Sequence, residues 1–553
     1  MKNWKGKAVA VTLLVFVLYI LFNHMNLNPL YPEAAFAYCV LFTVLFAIFT
    51  LDKIGRFAVS QTANGAPHVA FVRRPKFRRW PVVVVAVLWG AFFAVSIGSS
   101  VLFQVKAFRE QMPELQEMDF AEDFDTVDTS QLPIVDEVMA KKLADKKLGE
   151  RPSLGSQVVL GDPTLQQVDG KLLWAVPTYH SGLFKWLTNM DGTPGYVTVS
   201  ATNPQDVEYV DGYLIKYQPG AYLWQNLLFY ARFTAAPFTG LTDYSFELDD
   251  TGRPYWVITT YRYLRGFSLP EATGAVVMDC ATGESNTYSI EELPAWVDRV
   301  QPEDFIMTQL NNKGEYVHGY LNFSDKNKYR TSQGEAILYN NGSCYLFTGL
   351  TSVGADESAI GFVMVDMVTK EPHLYRISGA TETAAQQSAQ GKVQQYGYQA
   401  AFPLIVNMNG VPTYFMTLKD AEGLIKQYAY VSVEDYQTVG VGESIGEARL
   451  SYEKAIQSSP AGQAVGSVST DKAVLTGTVL RIGSEDSSNG TAYYLIVAEQ
   501  PQLLFSIQGS VSDELALTRE GDRVRLEYYP RQSTTQELSV FDNLEFEQEM
   551  PQG

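Results

Sequence analysis

Cysteine is almost missing from this chain, with three in 553 residues. A disulfide scaffold is thereby excluded. Cys39 falls inside an apolar run, so Cys280 and Cys344 form the only pair beyond it, open either to one bridge or to two small half-buried residues. Histidine is scarce too: His24, His68, His180, His318 and His373 make no HExxH and stand at no close metal-ligand spacing. Zinc catalysis therefore has no ligand set to work with. The chain has no Walker loop for a nucleotide and no Gly-x-Ser-x-Gly elbow for a nucleophile. No metal, cofactor or catalytic residue is expected; only a Ser-His-Asp arrangement assembled from distant positions around His180 or His318 stays open.

Charge is the next absence. Three apolar runs, Ala8–Phe22, Ala34–Leu51 and Pro81–Val105, contain no Asp, Glu, Lys, Arg or His. Ion pathways and proton relays need such groups inside the bilayer, so the runs read as an anchor and not as a transporter. The first run is short against the ~20 residues a crossing takes, and a signal peptide is the rival reading. Its small-x-small site, Ala35-Phe36-Ala37, sits at the mouth of the next run, which favours an uncleaved anchor. The stretch Asp52–Trp80 holds Lys53, Arg56, Arg73, Arg74, Lys76, Arg78 and Arg79 against one acid, whereas Asn23–Glu33 holds no Lys or Arg. Positive charge stays on the cytoplasmic side. The expectation is a multi-pass protein of the cytoplasmic (inner) membrane, its N-terminus cytoplasmic and everything after the third span periplasmic or extracellular.

What is present in quantity is acid. The first 105 residues carry ten Lys/Arg against Glu33 and Asp52, which leaves 32 Lys/Arg against 59 Asp/Glu over residues 106–553. So negative a surface repels phosphate backbones, and nucleic acid is not expected as a partner.

The organisation expected is a three-helix transmembrane anchor over 1–105 and an acidic linker over 106–133. An α+β domain over 134–456, a linker over 457–472 and a β-barrel over 473–553 follow. The middle domain shows a loose fourfold repeat. A strand opens after a Gly turn at Asp169-Gly170, Thr251-Gly252, Asn341-Gly342 and Asn409-Gly410; an alternating strand follows over 195–199, 274–279, 361–366 and 428–433. Alternation at period two with such turns is the pattern of hairpins with one buried face. Candidate helices lie between them at Ile134–Lys147, Ala221–Phe233, Glu292–Leu310, Ala380–Tyr396 and Glu443–Ile456, so helices laid on antiparallel sheets are expected.

Tyr255-Trp256-Val257 followed by Val276-Val277-Met278-Asp279-Cys280-Ala281-Thr282-Gly283-Glu284 resembles the hairpin of PepSY-type modules. That resemblance is best in the second repeat and partial in the third. It implies a bacterial envelope protein and suggests inhibition or peptide contact. The five short strands expected at 475–482, 492–498, 503–507, 524–529 and 538–546, with a helix at 512–518 between the third and fourth, resemble an OB-type barrel.

For a binding site the sequence offers Thr348–Ser358, a small polar segment with a carboxylate pair joining two strands of the third repeat. Thr351, Ser352, Asp356, Glu357 and Ser358 are its candidates, with Glu382, Lys419 and Asp420 converging if helix and sheet pack together. The function expected is a membrane-anchored scaffold or binding protein of the envelope, contacting a protein, peptide or cell-wall partner. An extracytoplasmic hydrolase or protease regulator, and a structural subunit of a surface assembly, are the alternatives.

Overall fold

A computed structural model describes residues 4–61, 67–73, 80–124, 132–155, 157–323, 325–332, 334–340, 342–353, 359–408, 410–457, 473–487, 490–528 and 535–546. Helices α1 (Trp4–Phe22) and α2 (Pro32–Ile54) are each long and apolar enough to cross a membrane. The antiparallel pair Gly55–Gln61 and Pro67–Arg73 follows. The run expected as one span over Pro81–Val105 is two helices, α3 (Trp80–Gly98) and α4 (Val101–Glu110), bent by 49°. The bend falls at Gly98-Ser99-Ser100, where hydroxyls compete for backbone carbonyls: Ser100 Oγ donates to Ile97 O at 2.6 Å.

The turn between α1 and α2 is bonded to the domain beyond. Leu27 N donates to Pro237 O at 3.1 Å. Asn28 Nδ2 donates to Phe238 O at 3.0 Å and Tyr31 OH to Tyr261 O at 2.6 Å. Arg232 Nε donates to His24 O at 3.1 Å.

Each of the four expected repeats is an antiparallel meander. The first uses Val158–Leu160, Thr164–Val168, Lys171–His180, Thr193–Ser200 and Val207–Ile215; the second uses Gly240–Leu248, Pro254–Arg265, Ser268–Asp279 and Ser285–Ser289. The third runs from Tyr329–Thr331 and Ala336–Asn340 through Ser343–Ser352 and Ala359–Asp366 to Pro372–Tyr375, with Gln116–Glu117 added in parallel. The fourth is built from Gln399–Ala400, Leu404–Met408, Val411–Lys419, Ile425–Ser432 and Val439–Gly442. In the first, third and fourth sheets the leading strand is broken in two, both pieces pairing with the second strand. In the second sheet it is continuous but slips register at Ile258/Thr260.

The sheets pack face to face in a ring. Val176, Val197 and Tyr209 of the first meet Val406, Phe415 and Tyr430 of the fourth. The fourth turns its other face, Tyr414, Met416 and Val431, to Phe347, Phe362 and Met364 of the third. The first meets the second through Ala175 and Tyr196 against Phe246, Trp256 and Ile258. Between second and third runs an irregular segment: Thr259 Oγ1 donates to Val300 O at 2.8 Å, and Gln301 N to Met367 O at 2.8 Å. Hairpins with a single buried face were expected; here the central strands are covered on both sides, and every residue of Val411–Lys419 is buried. Helices Glu137–Gly149 and Ile445–Gln457, near the two ends of the domain, share the core between the first and fourth sheets.

The helix expected over Glu292–Leu310 begins only at Glu303. Pro302 has no N–H to give a preceding turn and holds Gln301 extended, so residues 293–302 stay irregular. Cys280 and Cys344 are free and buried, and burial pushes both thiols up, Cys344 to about 12.

At the C-terminal end, Ala473–Ser487 pairs with Gly490–Val497 along one half and with Arg523–Tyr528 along the other. Leu504–Gln508 joins Gly490–Val497 and, in parallel, Thr535–Asn543, which returns to Arg523–Tyr528 and closes the sheet. The helix expected at Ser512–Thr518 is the 3-10 turn Asp513–Leu517.

Candidate functional site

The axis of the ring encloses a cavity of about 770 Å³. All four leading strands reach it at their irregular points: Asp162 and Pro163 in the first sheet, Asp243 and Tyr244 in the second, Glu335 and Ala336 in the third, Phe402 and Leu404 in the fourth. Trp174, Trp256 and Phe415 line it from the second strands. Trp174 is oriented by its indole N–H, which donates to Val135 O at 2.8 Å.

Six carboxylates line this space, Asp136, Glu137, Asp162, Asp243, Glu303 and Glu335, with one guanidinium, Arg299; from outside the lining Lys141 pairs with Asp162 and Lys419 with Asp136. Glu303 is half-buried, and Asp243, though its side chain opens to the cavity, is ringed by protein. Burial raises both; Arg299 offsets part of this, while nearby acids, Asp304 for the first and Asp243 and Glu335 for the second, add to it. Burial would lower the Arg299 guanidinium, but Cys344, Tyr339, Glu303 and Glu247 around it hold it above its ordinary value. Arg299 Nη2 donates to Leu165 O at 2.9 Å and Nη1 lies 3.7 Å from Glu303.

Behind this wall the leading strands are stitched by side chains, since neighbouring sheet edges do not pair. The Gln166 amide both donates to Leu248 O at 2.6 Å and accepts from Leu248 N at 2.8 Å. Asp298 accepts from Gln167 N at 3.0 Å and from Tyr339 OH at 2.8 Å. The edge of a sheet offers free N–H and C=O groups; here part of that edge is satisfied and part faces the cavity.

The structure does not gather the described members of the expected site into one pocket, and none of them lines the cavity. Thr351 and Ser352 end a strand, so the connecting loop is shorter than Thr348–Ser358; Asp356, Glu357 and Ser358 lie outside the described residues. Glu382 is buried at the start of its helix, against Gly349 and Ser332, and burial raises its carboxyl. Lys419 points elsewhere and pairs with Asp136, so it touches the cavity only through that rim carboxylate. Asp420 caps its own turn, accepting from Leu424 N at 2.8 Å beside Lys426 at 3.2 Å.

Neither histidine forms a triad among the described residues. His180 is buried, its Nε2 has no partner, and burial lowers it. His318 Nε2 lies 3.3 Å from Asn327 Nδ2. Arg299, Asp243 and Glu303 escaped sequence reasoning; the one local hint was Val297-Asp298-Arg299-Val300, two charges between valines that are both buried. No protein-family model and no curated protein matches the chain.

Proposed function

We propose that this chain is a membrane-anchored, extracytoplasmic binding protein of a bacterial envelope, and that its ring cavity receives a basic segment of a protein or peptide partner. The observation that carries the reading is the cavity at the convergence of four strand edges, lined by six carboxylates, two of them paired with lysines, and by one guanidinium. An extended peptide matches such edges by main-chain hydrogen bonds, and a cationic side chain offsets the burial, and the lesser effect of nearby acids, that keeps Asp243 and Glu303 high. The size lies within the roughly 300–1,000 Å³ usual for ligand pockets.

The anchor belongs to the same proposal: α1, α2 and α3 all cross, leaving the basic hairpin segment on the cytoplasmic side. With two crossings the α1–α2 turn and the large domain would face opposite sides, yet they are bonded to each other. The radial repetition of meanders around a channel is the plan of a β-propeller, and its second hairpin keeps the PepSY-like turn. In that turn Asp279 Oδ1 accepts from Ala281 N at 2.9 Å and Thr282 N at 2.7 Å. We read the C-terminal barrel, with strand order 1-2-3-5-4, as OB-like.

Calorimetric titration of the full chain in nanodiscs with lysine-rich and glutamate-rich oligopeptides tests the cavity. Lysine-rich peptide binds, and the triple change Asp162→Asn, Asp243→Asn, Glu335→Gln weakens it at least tenfold, about 1.4 kcal/mol. Equal binding of both peptides, or an indifferent triple variant, refutes the reading.

A further inference from the structure

The ring domain carries exposed apolar side chains close to its junction with the anchor. Phe184 is 81% exposed, Trp224 58% and Phe238 60%. Leu183, Leu187 and Leu223 stand beside them, each more than 40% exposed. Single exposed leucines are ordinary, whereas aromatic and aliphatic side chains grouped on one face mark a contact surface.

Their placement identifies what covers them. The short helix Leu183–Thr188 is pinned through buried Trp186, whose Nε1 donates to Gln225 Oε1 at 2.6 Å and whose ring lies 5.5 Å from that of Tyr222. Gln225 Nε2 donates onward to Met190 O at 2.8 Å. Phe184 and Leu187 are therefore held in one frame with Leu223 and Trp224. That frame continues directly into the helix Leu227–Thr234, capped by Asn226, which accepts from Phe229 N at 3.1 Å.

The same helix is fixed to the end of α1. The Phe229 ring lies edge-on to His24 at 5.7 Å, and Arg232 donates to the His24 carbonyl. Past its end, Pro237 and Phe238 bond to Leu27 and Asn28 of the α1–α2 turn. That turn joins two bilayer-length apolar helices and so marks the level of the membrane surface. Side chains within a few residues of it face headgroups and upper acyl chains, where Trp, Phe and Leu are favoured. The one charge in the short helix, Lys185, suits an anionic headgroup.

From this continuity we infer that Leu183, Phe184, Leu187, Leu223, Trp224 and Phe238 form a lipid-contacting face, seating the ring on the bilayer that its own anchor crosses. The occupant is the outer leaflet, and the domain is held by this face as well as by its connector. The inference rests on the crossing scheme proposed above.

The test uses the full chain in nanodiscs of phosphatidylcholine and phosphatidylglycerol, with an environment-sensitive fluorophore at Phe184→Cys, Trp224→Cys, Leu424→Cys or, within α2, Phe42→Cys. Spin-labelled lipids carrying the nitroxide near the headgroup end of the acyl chain, for positions 184, 224 and 424, or at mid-chain, for position 42, then report depth. We expect emission at positions 184 and 224 to fall at least twofold, and at 424 to stay unchanged. Loss of emission at 42 without loss at 184 and 224 overturns the lipid face while leaving the anchor intact. No loss at 42 overturns the crossing scheme and this inference with it. A blue shift at 184 and 224 without lipid quenching shows a protein occupant, a second copy included, and equally overturns it.

Discussion

Glu247 has no exposed surface, sits next in space to the ionised network of Asp298 and Arg299, and still keeps two donors, Ser245 Oγ at 2.5 Å and Asp298 N at 3.2 Å. Burial first, and the Asp298 charge second, push its carboxyl up to about 8. The folded state thus holds a proton that the unfolded chain releases near the ordinary glutamate value of about 4.3. Between those two values the native state binds more protons, so stability falls as pH rises through the window, by at most about 1.4 kcal/mol per unit for one group. Above about 8 the loss is complete. Glu247→Gln keeps the shape and cannot ionise. Its melting temperature, measured on the solubilised full chain, should gain on the parent steadily from pH 5 to about pH 8 and level off above that. A gap independent of pH would show that Glu247 is already charged at neutral pH and held by Arg299. Lys370 shows the opposite use of a buried charge. It adopts φ 65°, where the equivalent turn of the second repeat has Gly283 at φ 75°. A side chain at such a φ is strained, and this one reaches Glu271 of the second sheet and the Gln111 carbonyl of the connector. Local strain is accepted here for a bond between neighbouring sheets.

Among the elements, the third strand of three of the four meanders shows how the repeat is enforced. Gly195, Gly274 and Gly361 take positive φ at a register shift in the first, second and third sheets. At each, an added Cβ would overlap an outer-strand carbonyl, of Val210, Tyr288 and Tyr375 respectively. Gly274→Ala should therefore lower stability by roughly 3 kcal/mol or more, since backbone cannot yield as a flexible side chain does. Gly391→Ala, in a helix with open space around it, should instead raise stability by about 0.5–1 kcal/mol. Chemical denaturation of the two variants checks both signs. These glycines, and the Asp- and Asn-Gly turns, made the four meanders legible from sequence, because turn chemistry is local. The helix over Glu292–Leu310 was misplaced because Pro294 suits a first turn, a place that Pro302, just ahead of Glu303, marks more closely. The cavity was not legible at all: Asp162, Asp243 and Glu335 come together only through strands far apart in the chain, and each alone resembles a solvated loop acid. Thr348–Ser358 looked like a site for its composition, yet much of it is strand.

At the scale of the whole molecule, a ring of sheets must be closed, and the closing pieces are the ends of the domain. The helix Glu137–Gly149 supplies Met139, Ala140 and Ala144, and the helix Ile445–Gln457 supplies Ala448, Tyr452 and Ile456, to the one core that joins first and last sheets. Gly440 and Gly442 let the second helix lie directly on the fourth sheet: a Cβ at either would strike the backbone of Tyr452 or Ala448. Tyr452 OH also lies 2.9 Å from Thr413 Oγ1 inside the sheet. The C-terminal barrel stands apart energetically. Its core is drawn wholly from residues 473–541 and shares no side chain with the cores of the ring. Cutting the chain after residue 457 should therefore leave the ring's melting temperature within about 2 °C of the parent, since no side chain of the ring's cores is lost. Cutting after residue 444 removes Ala448, Tyr452 and Ile456 from a closed core, and large-to-small losses of this kind cost roughly 2–5 kcal/mol per side chain. That second truncation should open the ring and abolish its cooperative transition, as read by calorimetry in detergent. If both truncations melt alike, the ring is held by its sheets alone and the terminal helices are ornaments on it.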